Sequence, residues 1–181
     1  MHLNQDTQPS FDTNNEYARV ISWDPSWNLG APCPQLFSNG YKTYLIYYIN
    51  EPDPAWDGSY TTMINPGEDN VYPLALVEFI HPHSHRFGIV NDEAAHGHPL
   101  YEKGLETYAA HIIENSSWIS ELKKIHRVHH RYSELHWSKR NHFLLFFHDE
   151  ILEVIADDYK IETYKSTFQE LSIEVVGRLN S

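Results

Sequence analysis

Five histidines and two carboxylates lie within residues 81–100 of this chain, and their types and spacing point most directly to chemistry. Imidazole titrates nearest neutrality of all side chains and is the commonest metal ligand in proteins. A carboxylate beside an imidazole can orient its tautomer and raise its basicity. This stretch therefore predicts either acid–base chemistry or metal-assisted chemistry.

The alternating spacing of these histidines would suit a metal. Residues i and i+2 of an extended strand point to the same side, so His83 and His85 can present two imidazoles together, and His96 and His98 repeat the spacing. These four histidines are the predicted ligands of a divalent metal such as zinc or iron. Cys33 is the only cysteine, which excludes a zinc site built on cysteines.

The same region can instead supply acids and bases without a metal. Asp92 or Glu93 would act with His98, while His148 and Asp149 offer a second imidazole and carboxylate at the end of an apolar run. Adjacent residues of a strand point to opposite faces, so His148 and Asp149 need not touch each other. These five residues are the predicted catalytic groups.

A basic segment stands out in an otherwise acidic chain. Residues 122–142 carry a net charge of +5, whereas the whole chain carries −12. Arg127 and Arg131 of this segment are predicted to steer an anionic substrate, and a solvated helix face is the competing interpretation. The acidic balance makes nucleic acid and anionic membranes unlikely partners, because binding them requires Lys and Arg to neutralise phosphates. A small-molecule substrate or a protein partner is expected instead.

Length and composition predict a single globular domain. A chain of 181 residues with 41% hydrophobic content is long enough to bury a core. Residues 1–20 are polar and predict a loosely ordered N-terminal arm, followed by one domain over residues 21–181. The sequence shows neither a signal peptide nor an apolar run of membrane-spanning length, so a cytoplasmic location is expected.

Hydrophobic periodicity predicts an α+β fold, with an antiparallel β-sheet or partly closed β-sandwich of roughly five strands and two packed helices. Residues 105–114 fit both a helical stripe and a strand, and a strand over 108–114 is favoured. The other predicted strands are residues 41–49, 71–80, 86–90, 142–147 and 151–156.

Both predicted helices have an apolar face that should dock on the sheet. The first covers residues 117–128 and would bury Trp118, Ile125 and Val128. The C-terminal helix follows a capping-box pattern over residues 166–169. Trp23 and Trp27 precede the first predicted strand, and their indoles are expected to pack over the edge of the core.

No motif in the sequence specifies a reaction. The zincin, Walker, serine-hydrolase and dinucleotide-binding patterns are all missing. The leading hypothesis is a small-molecule enzyme that uses its histidine and carboxylate cluster for acid–base or metal-assisted hydrolysis or lyase chemistry. The alternative is a non-catalytic binding protein that presents an acidic, aromatic-rich surface to a protein partner.

Overall fold

Two antiparallel sheets make up this computed structural model, which describes residues 15–50, residue 64 and residues 70–181. The strands are β1 Tyr17–Ile21, β2 Gln35–Ser38, β3 Thr43–Tyr48, β4 Tyr72–Ile80, β5 Ser84–Ile89, β6 Ala110–Glu114, β7 Asn141–Phe146, β8 Glu150–Ala156 and β9 Asp158–Ser166. The first sheet has the order β1-β6-β7-β8-β5, and the second has the order β2-β3-β4-β9.

Helical segments cover the outer faces of the sheets. They are α1 Ser117–His126, α2 Glu134–Trp137, α3 Phe168–Asn180 and two 3-10 helices at Asp92–Gly97 and Tyr101–Lys103. None of the helices in the described ranges has the length and apolar character needed to cross a membrane.

The core lies between the two sheets because alternate residues of each strand point to opposite faces. The second sheet contributes Leu45, Val77 and Phe79, while the first contributes Phe143 and Leu152. All five are buried, so the sheets pack face to face as a sandwich.

Each sheet also buries part of its outer face. Helix α3 places Leu171 and Val175 against Ile46 of β3. On the first sheet, the segment 91–105 packs Leu100 against Leu144 of β7. The first sheet is therefore covered on both faces. The second sheet packs on its inner face, and the segment 91–105 covers part of its outer face.

The predicted α+β class is confirmed, but the sheets contain more strands than expected. The strands β1, β2 and β9 were not predicted, and all three lie at sheet edges. An edge strand buries little surface, and β9 alternates charged or exposed residues with half-buried ones. The apolar signal used to predict strands is correspondingly weak there.

The predicted N-terminal arm overlaps the first sheet. Residues 17–20 belong to β1, which pairs antiparallel with β6 from Tyr17 opposite Glu114 to Ile21 opposite Ala110. Residues 1–14 lie outside the described part of the chain. The ambiguity over residues 105–114 is resolved as a strand that begins at Ala110.

Helix α1 is shorter and more exposed than its periodicity predicts. It ends at His126, and Ile125 and Val128 are exposed rather than buried. Trp118 is buried as expected. The apolar stripe is therefore covered at Trp118, Ile119 and Leu122 and exposed towards the C-terminal end of the helix.

Two other local predictions were wrong in position. Trp23 and Trp27 lie within the core between the sheets rather than over its edge. The capping box of α3 is formed by Thr167 and Glu170, one residue later than predicted, because the Thr167 hydroxyl accepts the Glu170 amide at 3.1 Å.

Candidate functional site

The fold separates the histidine-rich stretch into different regions. Strand β5 runs antiparallel to β8, with Ser84 opposite Ile155 and Ile89 opposite Glu150. At about 3.3 Å per residue, the two ends of β5 lie about 17 Å apart. His83 and Asp92 flank the strand, so they lie at opposite ends of the first sheet.

This separation also disperses the predicted metal ligands. His83 contacts the ring of His126, whereas His96 contacts Tyr101 on the 3-10 segment. His85 lies on the edge strand opposite Val154, and His98 accepts the Leu100 amide. Across the described ranges, no group of three or more His, Cys, Asp or Glu is arranged to hold a metal ion. The geometry of the described residues does not support the predicted four-histidine site.

At one end of the first sheet, Asp92 and Tyr108 meet the pair His148 and Asp149. The Tyr108 hydroxyl donates a hydrogen bond to Asp92 Oδ2 at 2.5 Å. The rings of Tyr108 and His148 are 5.9 Å apart between centroids, and His148 Nδ1 lies 3.0 Å from Asp149 Oδ1. His148 and Asp149 are therefore in contact, although their adjacent positions in the sequence did not require it.

Backbone structure holds this cluster, which we call the Asp92 cluster (Asp92, Tyr108, His148 and Asp149). The Asp92 amide donates to the His148 carbonyl at 3.0 Å. Asn91 caps the 3-10 helix that begins at Asp92 by accepting the Ala94 amide. The two loops that carry Asp92 and His148 are thereby fixed against each other.

Tyr108 occupies a backbone conformation that tyrosine rarely adopts. Its φ of 58° is in the left-handed region, two residues before β6 begins. The next residue, Ala109, accepts the Phe146 amide at the end of β7. The conformation turns the chain into the sheet while the Tyr108 hydroxyl reaches Asp92.

The pKa values of the members of the Asp92 cluster are shifted in different directions. The hydrogen bond from Tyr108 lowers the pKa of Asp92, and the same bond raises the pKa of Tyr108 to about 12. Contact with Asp149 raises the pKa of His148, and the negative charge of Asp92 raises it further. Asp92 is thus held as a carboxylate, whereas His148 retains its proton to higher pH than an ordinary histidine.

Two predicted catalytic residues do not contribute to this cluster. Glu93 is exposed on the 3-10 helix. Burial lowers the pKa of His98, while the carboxylates of Glu153 and Glu16 oppose that effect. Of the five predicted catalytic residues, the structure therefore brings together Asp92, His148 and Asp149.

A second polar group lies under α1 on the outer face of the first sheet. His142 Nδ1 is 2.9 Å from Ser116 Oγ, and His142 Nε2 is 2.9 Å from Glu153 Oε2. Ser116 Oγ also accepts the Ile119 amide as the N-cap of α1, so its own proton is free to be donated to His142. His142 Nδ1 is then the acceptor, so the ring proton lies on Nε2 and is donated to Glu153.

Burial and hydrogen bonding in this chain of groups indicate a structural role. Ser116 and His142 are buried beneath Trp118, whose ring is 5.2 Å from that of His142. Burial raises the pKa of Glu153, but the hydrogen bond from His142 and the charge of Arg86 outweigh it and keep that pKa below its ordinary value. The Glu153 carboxylate therefore anchors the imidazole to the sheet.

At the opposite end of the sheet, a cavity of about 220 Å³ lies beside the basic segment. Arg131 and Arg140 line it together with Trp137 and His83. Arg127 is not among the lining residues, and its guanidinium lies 4.0 Å from Glu134 instead. The two arginines that were predicted as candidates for steering an anionic substrate therefore have different surroundings, and neither is at the end that holds the Asp92 cluster.

The sequence interpretation missed Tyr108. Its residue type and position gave no motif, and it fell within the segment whose secondary structure was ambiguous. A tyrosine one or two residues before a strand is a common feature, so only the tertiary contact with Asp92 identifies it.

Comparison with known proteins supplies no relative for this chain. No family model matches it, no curated protein matches it significantly, and no solved structure does. Function must therefore be argued from the groups at the site itself.

Proposed function

We propose that this chain is an enzyme that transfers a proton to or from a small-molecule substrate at His148, in a hydrolysis or lyase reaction. The observation that supports the proposal is the convergence of Asp92, Tyr108 and Asp149 around His148 from three separate segments. An imidazole that contacts one carboxylate and is influenced by the charge of a second is suited to general acid–base chemistry near neutrality.

Each member of the Asp92 cluster has a distinct role in this proposal. His148 is the proton donor, because Asp149 raises its pKa and its side chain is 38% exposed to solvent. Asp92, whose pKa is lowered, is a weak base and instead stabilises the positive charge on His148. Tyr108 is a positioning residue that orients the Asp92 carboxylate.

The strained backbone of Tyr108 supports a role beyond packing. A non-glycine residue in a sparsely populated conformation costs on the order of 1–3 kcal/mol, and such residues cluster at functional sites. Here the strain coincides with the hydrogen bond that orients Asp92. Glycine would adopt this conformation at lower cost than tyrosine.

A screen with chromogenic esters, phosphate monoesters and glycosides would test the proposal. We expect turnover of at least one class, reduced about 100-fold or more in His148→Gln, because loss of a general acid costs about 10²–10⁴ in rate. His96→Gln is the matched control, since His96 is exposed on the 3-10 helix and outside the cluster. Thermal unfolding would establish that both variants are folded.

The pH profile separates catalysis from a structural role. If the protonated His148 is the acid, the rate falls as the pH rises through its pKa, and Asp149→Asn moves that fall to lower pH. No turnover across the panel, or equal turnover in folded His148→Gln, would overturn the proposal.

The alternative of an aromatic-rich surface for a protein partner receives less support. The four tryptophans among the described residues, namely Trp23, Trp27, Trp118 and Trp137, are all buried. The rings of Trp23 and Trp27 in particular lie in the core between the sheets, where a protein partner cannot contact them.

A further inference from the structure

The cavity beside the basic segment combines positive charge with aromatic walls. We call it the Arg131 pocket, defined by its lining residues His83, His126, His129, Arg131, Tyr132, Ser133, His136, Trp137 and Arg140. Two guanidinium groups and four imidazoles lie in this lining, and no carboxylate does. In a chain of net charge −12, two guanidinium groups in a lining without a carboxylate form a locally positive surface.

Three rings form one wall of the Arg131 pocket. The ring centroids of His83 and His126 are 4.9 Å apart, those of His83 and Trp137 are 4.9 Å apart, and those of His126 and Trp137 are 5.4 Å apart. Trp137 is only 8% exposed, so its position is fixed by packing. Burial, together with the charges of His126 and Arg140, lowers the pKa of His83. His83 therefore provides a neutral aromatic surface near neutral pH.

Arg140 is held in place on the other side. Its guanidinium lies 3.1 Å from Asp157 Oδ1 and also donates to the His81 carbonyl. Both contacts use Nη1, and guanidinium has five donors in total. The remaining donors can serve a ligand without displacing the partners that hold the side chain.

Arg131 carries the charge that is left uncompensated. Within the part of the chain that the structure describes, no carboxylate forms an ion pair with it. The nearby Glu134 carboxylate is already engaged by Lys123, Tyr132 and Arg127. Arginine pairs well with planar oxyanions through parallel hydrogen bonds.

We propose that the Arg131 pocket binds a small organic oxyanion, a carboxylate or a phosphate monoester attached to a flat apolar body. The oxyanion contacts Arg131 and Arg140, and the flat body lies against the wall of His83, His126 and Trp137. The volume of about 220 Å³ admits a small molecule rather than a polypeptide segment. This inference is independent of the proposed catalysis at His148, which lies at the opposite end of the sheet.

Isothermal titration calorimetry with phenyl phosphate and with benzoate tests the inference, and benzyl alcohol is the uncharged probe. We expect saturable binding of at least one anion, with no heat from benzyl alcohol. Tighter binding of phenyl phosphate or of benzoate identifies which oxyanion the pocket prefers. Raising the salt concentration should weaken binding.

Arg131→Gln and Arg127→Gln form the matched pair of variants. Each removes one positive charge from the same segment, but only Arg131 lines the pocket. We expect at least a tenfold loss of affinity in Arg131→Gln, because a charge-assisted hydrogen bond is lost, and less than a twofold change in Arg127→Gln. Arg131 is exposed, so both variants should unfold at the temperature of the unmodified protein.

Three results would overturn the proposal. The first is the absence of saturable binding by either anion. The second is an equal loss in both variants, which would indicate attraction to the basic segment as a whole. The third is tighter binding of an aspartate-rich peptide with equal sensitivity to both substitutions, which would assign the surface to an acidic protein partner.

Discussion

The Tyr108 hydroxyl donates to Asp92 Oδ2 at 2.5 Å, and this bond joins the segment before β6 to the loop after β5. Asp92 in turn donates its backbone amide to the His148 carbonyl. Two consecutive hydrogen bonds thus connect Tyr108 to the backbone of His148, whose imidazole is the proposed proton donor. The pKa of His148 is consequently the most informative property to measure at this site.

Asp149→Asn should lower the pKa of His148, and Asp92→Asn should lower it by less. Contact with Asp149 is the main cause of the raised pKa, whereas Asp92 acts through its charge. Titration of the His148 ring signals by NMR measures both effects. An unchanged His148 pKa in Asp149→Asn would show that the two side chains do not interact in solution.

The same pair predicts a pH dependence of stability. A raised folded-state pKa stabilises the protein fully below the unfolded pKa of His148, and the stabilisation is lost as the pH rises through the folded pKa. The free energy of unfolding should therefore differ more between the unmodified protein and Asp149→Asn at pH 5.5 than at pH 8.5. Urea denaturation at the two pH values measures this difference.

Glu153→Gln should destabilise the protein at neutral pH by about 1–3 kcal/mol, because the buried His142 loses a charged partner. The lowered pKa of Glu153 means that its contribution is present above the unfolded pKa of glutamate and is lost as the pH falls through the folded pKa. The loss of stability below about pH 5 should thus be shallower in Glu153→Gln. Glu121→Gln, exposed on α1, is the control, and equal pH slopes in all three proteins would contradict the prediction.

Gly104→Ala should be strongly destabilising, whereas Gly97→Ala should be tolerated. Gly104 has φ 89°, and a Cβ there would collide with the Ala18 carbonyl oxygen of β1. The left-handed conformation alone costs an alanine roughly 1–2 kcal/mol, and relief of the collision adds to that cost. Nothing lies within 4 Å of a Cβ at Gly97. Similar thermal unfolding of the two variants would argue against the close approach of residue 104 to β1.

Thr167→Ala should reduce the free energy of unfolding by about 1 kcal/mol, because it removes the N-cap of α3. Gln169→Ala should have little effect, since Gln169 is exposed and takes no part in the cap. Chemical denaturation of the two variants distinguishes the observed capping box from the one that the sequence predicts. A larger effect for Gln169→Ala would favour the predicted register.

The central strands could be predicted from the sequence because a strand that is buried on both faces is a nearly continuous run of apolar and aromatic residues. Strand β3 is buried along its whole length, with Tyr44 and Ile46 facing α3 and Leu45 and Tyr47 facing the first sheet. The apolar runs over residues 142–147 and 151–156 were likewise predicted as strands, and they form β7 and β8, which pair antiparallel.

The site was predicted less completely because proximity in sequence differs from proximity in space. His83 and Asp92 are nine positions apart, yet the intervening β5 holds them at opposite ends of a sheet. Asp92 and Tyr108 are farther apart in the chain but share a hydrogen bond. Spacing rules for metal ligands assumed that the histidines remain on one short extended segment.

By itself, the sequence determined the α+β class, the two main helices and the buried central strands, and it named Asp92, His148 and Asp149 as candidate catalytic groups. These features depend on local periodicity and residue type, which each segment carries on its own. Tertiary structure decided the edge strands, the dispersal of the histidines, the inclusion of Tyr108 and the separation of Arg131 from His148. Those features depend on which strands pair and in what register, and pairing is set by contacts between residues that are distant in the chain.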